Sequence, residues 1–167
     1  MRELYLLVVA VHVVAAAGWV GGSLFLALAV IPGIRQPQFR PIMPDLLDFI
    51  GRRARTLGWG ALGTLVVTGI IILLLRGISP TTFLDPAFWR TGFAHTLASK
   101  FAAVGLVLVL TALHDFGVGV RANQLARKNP NSPEARRLRR LAIWFARVNL
   151  GLAIVIVGLS VVLVRGV

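Results

Sequence analysis

Residues 4–31 read LYLLVVAVHVVAAAGWVGGSLFLALAVI, a run without a single Asp, Glu, Lys or Arg. About 20 apolar residues suffice to cross a bilayer as a helix. In hydrocarbon the backbone must satisfy its own hydrogen bonds, so a run of this kind is helical. Three more apolar runs follow at about 57–75, 93–116 and 141–164. The chain has 57% hydrophobic and 14% charged residues in 167, with a mean hydropathy of +0.82. That balance excludes a soluble domain of this size. The fold expected is an all-α integral membrane bundle of four up-and-down transmembrane helices, in one domain over residues 1–167. The first run is too long for a signal-peptide core and is read as a retained helix. Pro32 is expected to end it at Ile31, since proline lacks the amide hydrogen and disfavours helix before it.

Between the first two runs, Leu46, Leu47, Phe49 and Ile50 alternate with Asp45, Asp48 and Arg52, the pattern of a short amphipathic helix lying at the interface. Phe88 and Trp89, in the loop before the third helix, suit the headgroup level. Asn129, Pro130, Asn131, Ser132 and Pro133 form a turn before the fourth. Gly18 and Gly22, and Gly58, Gly60 and Gly63, are expected at close helix contacts.

The net charge of +12 is concentrated in two loops. Arg35, Arg40, Arg52, Arg53 and Arg55 lie between the first two runs. Arg121, Arg127, Lys128, Arg136, Arg137, Arg139, Arg140 and Arg147 lie between the third run and the early fourth. The positive-inside rule places both loops in the cytoplasm and both termini outside. Aromatics are not interleaved with these arginines, which argues against nucleic acid. Anionic lipid headgroups are the expected partner. The expected location is the cytoplasmic membrane of a prokaryote.

Ionisable residues inside the spans are few, and each needs a partner, a cofactor or water. At 1.5 Å rise per residue, His12 lies ~12 Å along the first helix and Lys100 ~10 Å along the third, which runs the same way. They share a depth. His114 lies ~31 Å along, too far to share a small site with His12. Trp19, seven residues after His12, shares its face, with Gly18, Gly21 and Gly22 beside it. His95, at the mouth of the third helix, is either an interfacial residue or an alternative ligand. Lys100 is either a ligand or a side chain snorkelling outward. His114 with Asp115 is either a second metal or proton-handling site or a histidine favoured by the helix-end dipole. Arg147 and Asn149 are expected to pair with Asp115. There is no cysteine, and the methionines are Met1 and Met43 alone, so soft sulfur ligation of Cu(I) is poorly served. A neutral imidazole at His12 suits a metal or cofactor, and Lys100 joins it as a ligand only if burial leaves it a free amine.

AVHVVAAAGWVGGSLFLALAVIP over residues 10–32, with His12, Trp19, Gly21-Gly22 and Pro32, resembles the first helix of CopD-type copper-resistance membrane proteins. The third helix, with Lys100 and then TALHDFGVGVRA, is similar to that group and to the related HemJ-type protoporphyrinogen oxidases. The HemJ likeness implies haem b held by His12 and Lys100. WVGG and Ile31-Pro32-Gly33 depart from the HemJ pattern, which weighs against oxidase activity and leaves the haem pocket. The reading is therefore a small b-type haem protein of electron transfer or redox chemistry, with haem between the first and third helices near the outer face. A quinone or redox protein is the partner expected on that reading, and a homodimer could shield the macrocycle. The alternative is CopD-type copper transport or resistance without haem.

Overall fold

The computed structural model describes residues 2–39, 41–129 and 132–165, so Arg40, Pro130 and Asn131 of the loop expectations lie outside the described residues. Four long helices are present: α1 (Arg2–Ile34), α2 (Met43–Leu75), α3 (Gly92–Leu113, continued by His114–Val118 and Gly119–Lys128) and α4 (Pro133–Arg165). There is no strand among the described residues. Each helix is long and apolar enough to span a membrane, which makes this a multi-pass integral membrane protein. Up-and-down order puts both termini at one end, called here the termini end. The loops rich in arginine lie at the other, the basic end.

Pro32 does not end α1. The helix widens into a π turn over Leu26–Val30, closed by the Ile31 amide donating to the Leu26 carbonyl, and continues to Ile34. A proline ring collides with the carbonyl four residues back. Here that residue is Leu28, inside the widened turn, where the helix accommodates the ring. The Arg35 amide then closes on the Pro32 and Gly33 carbonyls.

The sequence expected for a separate interfacial helix forms the first turns of α2 instead, a single rod of 33 residues. Pro44 sits in its first turn, where a missing amide hydrogen is harmless. No proline interrupts the segment 51–56, and its arginines are good helix formers. The rod is ~50 Å long. It exceeds a hydrocarbon thickness of ~30 Å, so its amphipathic start projects past the apolar layer. At the other end Gly77, at φ +79°, allows a Schellman closure. The Ile78 amide bonds the Leu73 carbonyl and the Gly77 amide bonds that of Leu74, both at 3.0 Å.

Thr91 caps α3 by accepting from the Ala94 amide at 3.2 Å. Ahead of it, Phe83, Phe88, Trp89 and Phe93 pack edge to face or tilted at the termini end. Ser132 caps α4 through the Ala135 amide at 3.1 Å, and Pro133 opens the helix.

Packing is pairwise. α1 lies along α2 and α3 along α4, while α2 meets the final segment of α3 at the basic end and α1 touches α4 more lightly. Val8, Leu62, Leu97, Val107 and Leu110 are buried between helices, and small residues such as Ala94 and Ala153 let the backbones approach. Much of the remaining apolar surface faces outward, as lipid-facing helices require. The glycines expected at close contacts are not there. A Cβ built on Gly18, Gly22, Gly58, Gly60 or Gly63 meets no atom within 4 Å. Gly18 and Gly22 lie roughly 80–120° around α1 from His12, which faces α2, so they point away from the contact.

Candidate functional site

His12 is half-buried on the face of α1 that packs against α2. Its Nδ1 lies 2.7 Å from Thr68 Oγ1. The Thr68 hydroxyl donates to the Thr64 carbonyl at 2.6 Å, so a lone pair is what Thr68 offers to the ring. Nδ1 is therefore assigned the hydrogen, donating to Thr68, and Nε2 keeps its lone pair. A ligating histidine is set up in this way, with one ring nitrogen held by an acceptor so that the other faces the metal. Thr68 is itself buried, which keeps water from competing for the bond. Gly69 supports the arrangement, because its would-be Cβ lies 3.6 Å from His12 Cε1 and a larger side chain would meet the ring.

Lys100 comes from α3 and is half-buried at a similar depth. Trp19 is half-buried two turns further along the His12 face, and its carbonyl accepts from Ser23 Oγ at 2.8 Å. His95 is exposed in the first turn of α3. No group of three or more His, Cys, Asp or Glu suited to holding a metal ion occurs among the described residues.

His114 and Asp115 belong to a separate polar group toward the basic end. They open a π turn, His114–Val118, closed by the Gly119 amide on the His114 carbonyl. His114 Nδ1 donates to Asp115 Oδ1 at 2.9 Å, and the Trp59 indole of α2 donates to Asp115 Oδ2 at 3.1 Å. Arg55 lies 5.5 Å from the Phe116 ring centroid. The expected pairing of Asp115 with Arg147 and Asn149 does not form. Arg147 is exposed, and Asn149 donates to Thr111 Oγ1 at 2.7 Å. An indole reaching across from α2 supplies the carboxylate with the donor that α4 was expected to give.

Thr68, Gly69 and Trp59 were missed in the sequence. A threonine in an apolar helix ordinarily bonds its own backbone, so Thr68 carries no local signal. Depth was the available clue, since Thr68 lies ~10 Å from the termini end of α2, near the level of His12. Two open clefts occur elsewhere, one of about 320 Å³ beside Arg2, Tyr5, Leu75 and Arg76, the other of about 360 Å³ beside Phe49, Arg52, Arg53 and Thr56.

Comparison with known proteins gives the family. The profile of copper resistance protein D, CopD, matches residues 50–163, a span holding Thr68, Lys100 and His114 but not His12. An uncharacterized protein of Aquifex aeolicus is 30% identical over 164 residues, covering 96% of this chain and 94% of that protein. No solved structure matches. The chain belongs to the CopD family.

Proposed function

We propose, with membership of the CopD family as the premise, that this protein handles copper within the membrane and that His12 is the nitrogen donor the ion meets there. The observation that carries the reading is the His12–Thr68 hydrogen bond, which leaves Nε2 free in a ring held from behind. Imidazole suits copper, and a chain with no cysteine and only Met1 and Met43 is poorly equipped for a sulfur relay. One or two nitrogen donors hold an ion weakly. That suits an ion in passage better than a resident centre, which takes three or four ligands. Copper is thus cargo in this reading, and the positive-inside rule orients its path with the basic loops inside and both termini outside. Titration of the detergent-purified protein with copper against a competing chelator tests the reading. Binding is expected to be lost in His12→Ala and kept in His95→Ala; equal binding by the His12 variant would remove His12 from the function.

A second reading is favoured by Lys100. As an ammonium at the depth of His12 it would repel a bare copper cation and attract an anionic group. As a free amine it would, with His12, offer nitrogen donors to haem iron. Haem b held by these residues would supply one-electron chemistry. A quinone or redox protein would then be the partner, and a second copy would help shield the macrocycle. The optical spectrum before and after dithionite separates the readings. Sharp reduced bands lost in His12→Ala establish haem, and a featureless spectrum rules it out.

A further inference from the structure

The polar group around His114 is not absorbed by either reading of His12. It lies ~21 Å along α3 from Lys100. It is built from three helices. α3 supplies His114, Asp115 and Thr111, α2 supplies Trp59 and Arg55, and α4 supplies Asn149. Asp115 has both carboxylate oxygens occupied, one by the Trp59 indole and one by His114 Nδ1. With Nδ1–H spent on the carboxylate, the lone pair of His114 Nε2 is open. Two buried atoms border the same band without a protein partner, Arg55 Nε as a donor and Asn149 Oδ1 as an acceptor. Buried polar atoms of this kind are ordinarily met by water, so the band is chemically suited to hydration.

Access follows from depth. His114 lies ~33 Å along α3 from Gly92. A hydrocarbon layer is ~30 Å thick, which puts the imidazole at headgroup level on the basic end. Its side chain is 37% exposed, while that of Asp115 is 17% exposed, so the imidazole is the member of the pair that meets water.

We propose that His114 and Asp115 form a proton-binding site that exchanges with water at the basic end of the bundle. Hydronium in the water at the basic end gives its proton to the Nε2 lone pair of His114, so an N–H bond forms as an O–H bond of the hydronium breaks and a neutral water is left. The pair passes from a net charge of −1 to 0 as the imidazolium forms against the carboxylate. Arg55, stacked on Phe116 in the next residue, is the charged group that faces the pair from α2. α4 presents the neutral Asn149 at Thr111, and Arg147 is exposed. The π turn serves this site. Its closure depends on Gly119, where a Cβ would meet the His114 carbonyl at 2.7 Å and the imidazole Cε1 at 3.6 Å. π turns inside longer helices occur frequently at functional sites.

Trp59 reports on the pair directly, since its indole donates to Asp115. In the full-length protein with Trp19, Trp89 and Trp144 replaced by Phe, emission from Trp59 is expected to follow a one-proton transition as the pH is varied. The transition should be lost in His114→Gln and retained in His95→Gln. Asp115→Asn keeps the imidazole and should move the midpoint, which provides a test if the His114 variant does not fold. A flat profile in the parent, a transition that survives His114→Gln, or a midpoint unmoved by Asp115→Asn overturns the proposal.

Discussion

His12 depends on a threonine that offers a lone pair only because its own hydrogen is directed at the Thr64 carbonyl. Thr68→Val keeps the shape and removes the acceptor. Copper affinity is then expected to fall about 10- to 100-fold, as losses of such supporting partners do, while the protein still folds. Chelator-competition titration measures it, and unchanged affinity would show that the ring needs no support. Gly69 gives a graded companion test. Gly69→Ala places a methyl at ordinary contact distance from the ring and should leave binding intact, whereas Gly69→Leu should displace the imidazole and abolish it. Identical behaviour of the two variants would contradict the placement of His12 against α2. His12 and Lys100 were legible in the sequence because an ionisable residue in an apolar run stands out. Thr68 and Gly69 were not, because residues of those types are common in membrane helices for other reasons.

Two of the four helices bend their own rules at π turns, Leu26–Val30 in α1 and His114–Val118 in α3. The one in α1 explains how Pro32 stays within a helix. Hydropathy located the helices and not their ends, since α2, α3 and α4 all run past the apolar runs into arginine-rich segments that remain helical. The turn in α3 rests on Gly119. Gly119→Ala forces a methyl against a carbonyl at 2.7 Å, and either the turn or the His114 ring must move. A change in Trp59 emission at neutral pH is expected, with none from Gly117→Ala, whose Cβ meets nothing within 4 Å. Beyond the apolar layer, Arg127 pairs with Asp45 at 3.1 Å and Asp48 at 3.5 Å, tying the start of α2 to the end of α3. Arg52, one turn along α2, also pairs with Asp48. These groups are substantially exposed, so the ties are weak. Asp48→Asn should cost less than ~1 kcal/mol, seen as a small shift in thermal unfolding. A loss of several kcal/mol would mean the pairs are shielded from water.

At the scale of the whole molecule, two helical hairpins pack together, with the His12–Thr68 hydrogen bond toward the termini end and the His114–Asp115 pair toward the basic end. The fold class was legible because four apolar runs in 167 residues leave few other architectures. How the hairpins meet was not, since pairing of lipid-compatible surfaces leaves only faint compositional marks. Arginine placement predicts the orientation. A phosphatase fused to the C-terminus should be active, as an exported reporter is, and activity confined to cytoplasmic reporters would reverse the topology. Elemental analysis of the purified wild-type protein and His12→Ala, after growth with copper and matched loading, tests whether His12 is the metal donor of this CopD-family protein. Copper bound to the wild type and missing from the variant is the predicted result; iron in place of copper would transfer His12 to the haem reading, and equal copper in both proteins would contradict the account.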